Sequence, residues 1–293
     1  MTSHVLTLIA NRATTSLTQA VIARVRDVIA GGEPLILSPD EAADIPTRTA
    51  PDLTAVRAAL DNAPIDAIVT AAGANRRKRL LVADMDSTIV TGETLDELAD
   101  FAGLKDRIAA ITARAMNGEL DFKAALRERV AMLRGLPVDA LERAWERIRL
   151  TPGARELVAT MRAHGAHAAL VSGGFSFFTS RVAAQLGFHL HRSNTLLDDG
   201  TALTGSVGEP ILDRDSKLAT LTQLAQDHAL PLAATLAVGD GANDLDMLAA
   251  AGLGVAFHAK PIVAAAAQAR VDHADLRALL FAQGYRVAEF ATP

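Results

Sequence analysis

Apolar residues first run together from Val5 to Ala10, a stretch of strand length, and then recur at helical spacing between Ser16 and Ile29. A strand signal at Leu35–Leu37 is followed by a helical one at Leu53–Leu60 and a further strand at Ile65–Val69. Gly31-Gly32 and Pro46 punctuate the turns. Residues 1–72 therefore predict a small α+β unit. Residues 73–79, with Gly73 and the basic run Arg76-Arg77-Lys78-Arg79, predict a linker whose charges lie in solvent.

The pattern changes at Leu80. Leu80–Ala83 is a short apolar run ending in Asp84, as a buried parallel strand does. Residues 94–150 are helical and highly charged, with no strand signal. Thr151-Pro152-Gly153 predicts a helix start, with Thr151 as N-cap and Pro152 at the first position. Ala166–Val171 reads as a strand running into Ser172-Gly173-Gly174, and Asn194–Val207 as a hairpin turning at Asp199-Gly200. Asp215–Gln226 predicts a helix, Thr235–Val238 a strand, Asn243–Ala251 a helix, and Leu253–Phe257 the last clear strand. Such alternation predicts an α/β domain over residues 80–293, a doubly wound parallel sheet of Rossmann type, with residues 94–150 inserted as a helical cap.

Composition narrows the classes of function. Half of the 293 residues are apolar and 4% are aromatic, which predicts an aliphatic core. The 29 basic and 34 acidic residues leave a net charge of −5, without the basic footprint of a nucleic-acid binder. There is no cysteine, which excludes disulfides and thiolate metal sites and fits a reducing cytoplasm. The apolar run at Val5–Ala10 is too short for a signal peptide, and the most membrane-like stretch, Ala249–Ala269, is broken by His258, Lys260 and Pro261. A cytoplasmic protein with no membrane partner is expected.

Four constellations fall at strand ends, where open parallel sheets bind their ligands. Asp84-Met85-Asp86-Ser87-Thr88 offers two carboxylates two residues apart, suited to a nucleophile (Asp84) and a general acid and base (Asp86) in phosphate-ester cleavage. The competing reading is a turn with capping aspartates. Ser172-Gly173-Gly174 combines a hydroxyl with unobstructed backbone N–H groups for a phosphoryl oxygen; alone it reads as a simple strand-to-helix turn. Lys217 would offset the negative charge of phosphate and carboxylates, although alone it reads as a surface lysine. Gly239-Asp240-Gly241-Ala242-Asn243-Asp244 presents hard oxygen ligands for Mg²⁺, with Asp240 as ligand, Asp244 supporting it and Asn243 near substrate. Here the alternative is a tight turn capped by Asn243. Jointly, four unrelated turns would not supply nucleophile, acid, phosphate clamp and metal ligand in this order.

These segments, in this order, resemble the haloacid dehalogenase superfamily, and within it the phosphoserine phosphatases. The resemblance covers about residues 79–285 and extends to Glu93 in Thr91-Gly92-Glu93-Thr94, to Ala115–Phe122 and to Leu126-Arg127-Glu128-Arg129-Val130. It implies hydrolysis of O-phosphoserine, the last step of serine biosynthesis, through an aspartyl phosphate on Asp84, with Asp86 as general acid and then base. It further implies Mg²⁺ held by Asp84, Asp240 and the backbone carbonyl of Asp86. Ser172, Gly173 and Lys217 would bind phosphate, Glu93 the serine ammonium and Arg129 its carboxylate, with Asn243 nearby and Met116 and Phe122 lining the lid. By the residues alone, Glu93 and Arg129 read as a solvated helix face. Longer members often carry an ACT-like regulatory module of four strands and two helices at this N-terminal position. Three clean strands are legible here, which sets dimerisation, as in a homodimer, or core support beside amino-acid binding. Transfer to another hydroxyl acceptor, hydrolysis of a different small phosphate ester, and a non-catalytic amino-acid sensor are the alternative functions.

Overall fold

The computed structural model describes residues 2–117 and 119–291. The N-terminal segment runs β1 (His4–Ala10), α1 (Gln19–Val28), β2 (Leu35–Ser38), β3 (Ala42–Thr47), α2 (Leu53–Leu60) and β4 (Ile65–Ala71). Its antiparallel sheet has the order β2-β3-β1-β4. The sheet holds four strands, not three. Asp44 and Pro46 hide β3 in the sequence, and the structure accommodates both. The Pro46 carbonyl accepts from Gly32 N on the β2 side, where β2 pairing has already ended at Asp44, so the missing N–H breaks no ladder bond. One sheet face packs Leu6, Leu8 and Ile45 against Ile22 and Val25 of α1 and Val56 and Leu60 of α2.

The opposite face, with Ile9, Ala42 and Ile68, joins the core of the rest of the chain. The basic run is fastened there as well. Arg76 grips Asp44 through both guanidinium ends, at 2.6 and 2.7 Å, and donates to the Ala282 carbonyl. Lys78 is buried and donates to the Ala233 carbonyl at 2.8 Å. These two charges are structural clamps, unlike the solvated patch expected of them, because each meets an acceptor that burial would otherwise leave unpaired.

The second sheet is built from β5 (Leu80–Ala83), β6 (His167–Phe175), β7 (Leu190–Asn194), β10 (Thr235–Gly239), β11 (Leu253–Phe257) and β12 (Ala269–Val271), all parallel, in the order β12-β11-β10-β5-β6-β7. Between β5 and β6 lie α3 (Thr94–Asp100), α4 (Lys105–Met116), α5 (Phe122–Ala131), α6 (Asp139–Trp145) and α7 (Ala154–Ala163). The first four of these form the cap. Then come α8 (Ser176–Leu186), the hairpin β8 (Leu196–Asp198) and β9 (Leu203–Val207), α9 (Arg214–Asp227), α10 (Leu245–Ala250), α11 (Pro261–Ala266) and α12 (Ala278–Ala282). Along β5, Leu80 and Val82 face α9 and α10, while Leu81 and Ala83 face the opposite layer, so the strand is apolar on both sides.

Several elements differ from the sequence expectation, among them the whole of β7, which the pattern does not predict. β12 is an extra three-residue strand after Phe257, too short to show a period. Asn194 ends β7 in the main sheet, and the hairpin begins only at Leu196. The helix expected to start at Thr151 begins at Ala154, because Thr151 gives its N–H to the Ile89 carbonyl and Gly153, at φ 83°, turns the chain inward. Among the described residues no helix is long and apolar enough to cross a membrane.

Candidate active site

β5 lies at the centre of the parallel sheet, and the chain order reverses on its two sides, toward β10 and toward β6. Ligands collect at such a point, beyond the carboxyl ends of the strands. Asp84 leaves β5 there, its N–H still donating to the Val238 carbonyl of β10. The next residues make one wide turn, Met85–Ile89, in which Asp86 stays extended and Ser87 takes φ +54°. That turn aims the two carboxylates differently. Asp84 Oδ1 meets Lys217 Nζ at 2.7 Å. Asp86 Oδ1 accepts from Thr94 N at 2.7 Å, and its Oδ2 from Ser172 Oγ at 3.2 Å.

Lys217 is placed by the start of α9, where Asp213 caps the helix and accepts from Ser216 N. Its side chain points inward and is fully buried, with Nζ also 2.6 Å from Asp244 Oδ1. It is therefore not the surface lysine that its isolated sequence context suggests. Asp244 Oδ2 accepts from Gly241 N. The loop depends on Gly239, because a Cβ there would lie 2.3 Å from Asp244 Cγ.

Asp84, Asp240 and Asp244 bring carboxylate oxygens within 4.8 Å of one another, the one such acidic group among the described residues. The Asp86 carboxylate stands apart from it. Asp240 Oδ2 is buried without a hydrogen-bond partner, and the nearest cation, Lys260 Nζ, lies 3.9 Å away. An orphaned carboxylate oxygen facing two further carboxylates fits a hard divalent cation. The electrostatics agree. Burial lifts Asp240 well above the usual carboxylate range, and Glu93 and Asp84 add to the rise.

Burial also raises Asp86 to about 7, with the Glu93 charge reinforcing it and the Thr94 and Ser172 hydrogen bonds opposing it. Asp84 rises to about 7 by burial, against the pull of Lys217. Lys217 lies above its usual range too: burial alone would lower it, but the charges of Asp244 and Asp84 outweigh burial and keep it charged.

Asp84, Asp86, Glu93, Phe122, Arg129, Ser172, Gly173 and Asn243 all line one slot under the cap. The slot is narrow, with room for the centre of a water molecule over only about 20 Å³. Gly173 lies under the Phe122 ring, where a Cβ would come 2.7 Å from Cζ. Glu93 accepts from Ser87 Oγ at 2.8 Å, and burial raises its carboxyl. Arg129 is buried, not solvated, and Asn243 Oδ1 is a second buried oxygen without a partner. Met116 closes α4, and its side chain lies outside the described residues. Sequence reasoning assigned no role to Lys260, Thr94 or Thr112. Lys260 figures only as an interruption of an apolar stretch, Thr94 only as the residue beside Glu93, and Thr112 carries no motif that would flag it.

Comparison with known proteins follows the same lines. The family profile of haloacid dehalogenase-like hydrolases matches residues 81–249. A phosphoserine phosphatase of Streptomyces coelicolor is 45% identical over 221 residues, 75% of this chain and 54% of its own length. The chain spans about half the length of such curated relatives. A solved structure described as a phospho-aspartyl intermediate analogue of phosphoserine phosphatase is 40% identical, with a TM-score of 0.67, covering 70% of this chain and 98% of that one. The unliganded structure of a probable phosphoserine phosphatase from Vibrio cholerae is 32% identical, with a TM-score of 0.77, covering 98% of this chain and 88% of that one.

Proposed function

The chain belongs to the haloacid dehalogenase-like hydrolases, and on that premise we propose that it hydrolyses O-phospho-L-serine to L-serine and phosphate through an aspartyl phosphate on Asp84. The observation that carries this reading is a single narrow slot in which the Asp84–Asp86 pair shares its walls with Glu93 and Arg129. Phosphoserine bears a phosphate, an ammonium and a carboxylate; within the slot Glu93 suits the ammonium and Arg129 the carboxylate, and the buried Lys217 behind Asp84 supplies positive charge for the phosphate.

In the first half-reaction an Asp84 oxygen bonds to phosphorus, and the bond from phosphorus to the serine oxygen breaks. Asp86, protonated near neutrality by its burial, gives its proton to the departing oxygen. Ser172, the Gly173 backbone and Lys217 hold the phosphoryl oxygens. In the second half-reaction a water oxygen bonds to phosphorus while Asp86 takes its proton, and the bond from phosphorus to Asp84 breaks, releasing phosphate. We assign Mg²⁺ to Asp84, Asp240 and the carbonyl of Asp86, with Asp244 supporting from behind; when bound it supplies neutralising charge for the phosphoryl oxygens. Glu93 binds the ammonium and Arg129 the carboxylate, and Met116, Phe122 and Asn243 complete the enclosure. Closure of the cap excludes water while the acyl phosphate forms.

We divide the chain into an ACT-like unit at 1–72, a connecting segment at 73–79 and a phosphatase domain at 80–293 capped by 94–150. The order β2-β3-β1-β4 with two helices on one face supports the first assignment. A small, highly charged metabolite as substrate suits a cytoplasmic enzyme.

Phosphate release over a panel of esters with Mg²⁺ tests the reading. O-phospho-L-serine should exceed phosphoethanolamine, which lacks the carboxylate, and 3-phosphoglycerate, which lacks the ammonium. Equal turnover of all three would remove it.

A further inference from the structure

We infer that Thr112, on cap helix α4, is a positioning residue for Arg129 and thereby sets the preference for a substrate with an α-carboxylate; this rests on the phosphoserine reading above. Arg129 carries five N–H donors in a rigid plane. Two are spent inside the cap. Nε donates to the Ala125 carbonyl one turn back on α5, at 3.2 Å. Nη1 donates to Thr112 Oγ1 at 2.8 Å. Among the described residues Nη2 has no protein partner, and Arg129 lines the slot beside Glu93. The fork is held at one edge and left free at the other.

Thr112 Oγ1 does more than accept from Arg129. Its single proton has two acceptors in reach, the Ile108 carbonyl at 3.0 Å and Asp96 Oδ1 at 3.1 Å. Asp96 belongs to α3, so one buried hydroxyl ties α3, α4 and α5 together at the guanidinium. Burial raises the Asp96 carboxyl above its usual range, and that hydroxyl and Arg129 oppose the rise. A hydroxyl polarised by a carboxylate is a better acceptor for the arginine, as in any chain of hydrogen bonds in a low-dielectric setting. Bidentate reading of a carboxylate needs the guanidinium plane fixed in direction. Without Oγ1 the plane is free to turn about the remaining Nε bond. None of these atoms bonds to Asp84, Asp86 or Lys217, so the chemical step keeps its own machinery.

Thr112→Val keeps the side-chain shape and removes both hydrogen-bonding functions; Thr112→Ala removes them with better helix propensity, in case the buried valine prevents folding. With O-phospho-L-serine either variant should raise KM about ten-fold, the weight of one hydrogen bond to a charged group, with kcat within about two-fold. With p-nitrophenyl phosphate, which has no carboxylate, kcat/KM should stay within about two-fold, and Thr112→Ser should restore the KM for phosphoserine. Arg129→Ala is measured beside them. Equal losses on both substrates would reduce Thr112 to a structural role and overturn the inference. Unchanged KM in the Thr112 variants, while Arg129→Ala discriminates between the substrates, would overturn the inference alone. If Arg129→Ala itself fails to discriminate, the phosphoserine reading falls, and the inference with it.

Discussion

Replacing Lys217 by methionine keeps the length of the side chain and removes the ammonium between two buried carboxylates. The distances are 2.7 Å to Asp84 and 2.6 Å to Asp244, and the three side chains are 0%, 6% and 0% exposed. At such separations each attraction is worth ~6 kcal/mol at an effective dielectric of 20, before desolvation is counted. Most of that is offset by taking the charges out of water. Removing one partner of a buried pair nevertheless costs ~3–5 kcal/mol, because the remaining charge stays buried without compensation. In a domain of this size that lowers the melting temperature by ~10 °C.

The loss should depend on pH in a definite direction. Burial already holds Asp84 at about 7 with Lys217 present. Without the ammonium its folded value rises further above the unfolded one. The folded variant is then penalised above that value and relieved as pH falls through it, by taking up a proton. The deficit against wild type should be largest at pH 8 and shrink toward pH 5.5. Thermal unfolding by circular dichroism, in chelator so that no divalent cation replaces the ammonium, measures it. Turnover in Mg²⁺ should fall by ~10²–10³, the usual weight of one charge-stabilising group. A shift below about 2 °C at pH 8, or an equal shift at both pH values, would refute the reasoning.

Two further predictions concern other parts of the molecule. Gly239→Ala forces a Cβ to within 2.3 Å of Asp244 Cγ, so phosphate release should fall by at least ~100-fold, as when a charge-stabilising group is lost. Gly208→Ala, whose nearest neighbour lies 3.4 Å away, should keep wild-type turnover in the same assay, and equal loss in both would contradict the steric account. His167 stacks on His189 and packs at a tilt against His228 at the far end of the sheet, with ring centroids 4.2 and 4.1 Å apart, and burial and these neighbours lower it to about 4. Its folded value lies below the unfolded one, so the stability it contributes is present above pH ~6.5 and lost as pH falls toward 4; a melting profile of His167→Phe should be flatter across that window than wild type, by an amount tempered by partial exposure.

The parts of the fold legible in the sequence are those where one physical rule acts alone. Leu80–Ala83 and Thr235–Val238 are apolar on both faces because both faces are covered, and they read as buried strands. β3 escaped notice because Asp44 is polar for a tertiary reason, its pairing with Arg76 from 32 residues away. The same pairing explains why Arg76 was misplaced in solvent: neither charge announces the other. At the site, Asp84, Asp86 and Asp240 stand at strand ends with glycines or a second carboxylate beside them, a pattern with a chemical reason. Glu93 and Arg129 have none within the chain's own spacing, and only the family resemblance singled them out. Thr112 and Ser87 were beyond reach, since a threonine in a helix and a serine in a turn are ordinary until the fold brings Arg129 and Glu93 against them.

The central claim is that phosphorus becomes bonded to an Asp84 oxygen during turnover. Rapid acid quench of the enzyme with O-phospho-L-serine and Mg²⁺, followed by peptide mass spectrometry, reads this directly. One phosphoryl group should appear on the peptide containing Asp84, labile to hydroxylamine, and be absent in Asp84→Asn. A phosphoryl group on any other residue, or Asp84→Asn turning over at the wild-type rate, would contradict it.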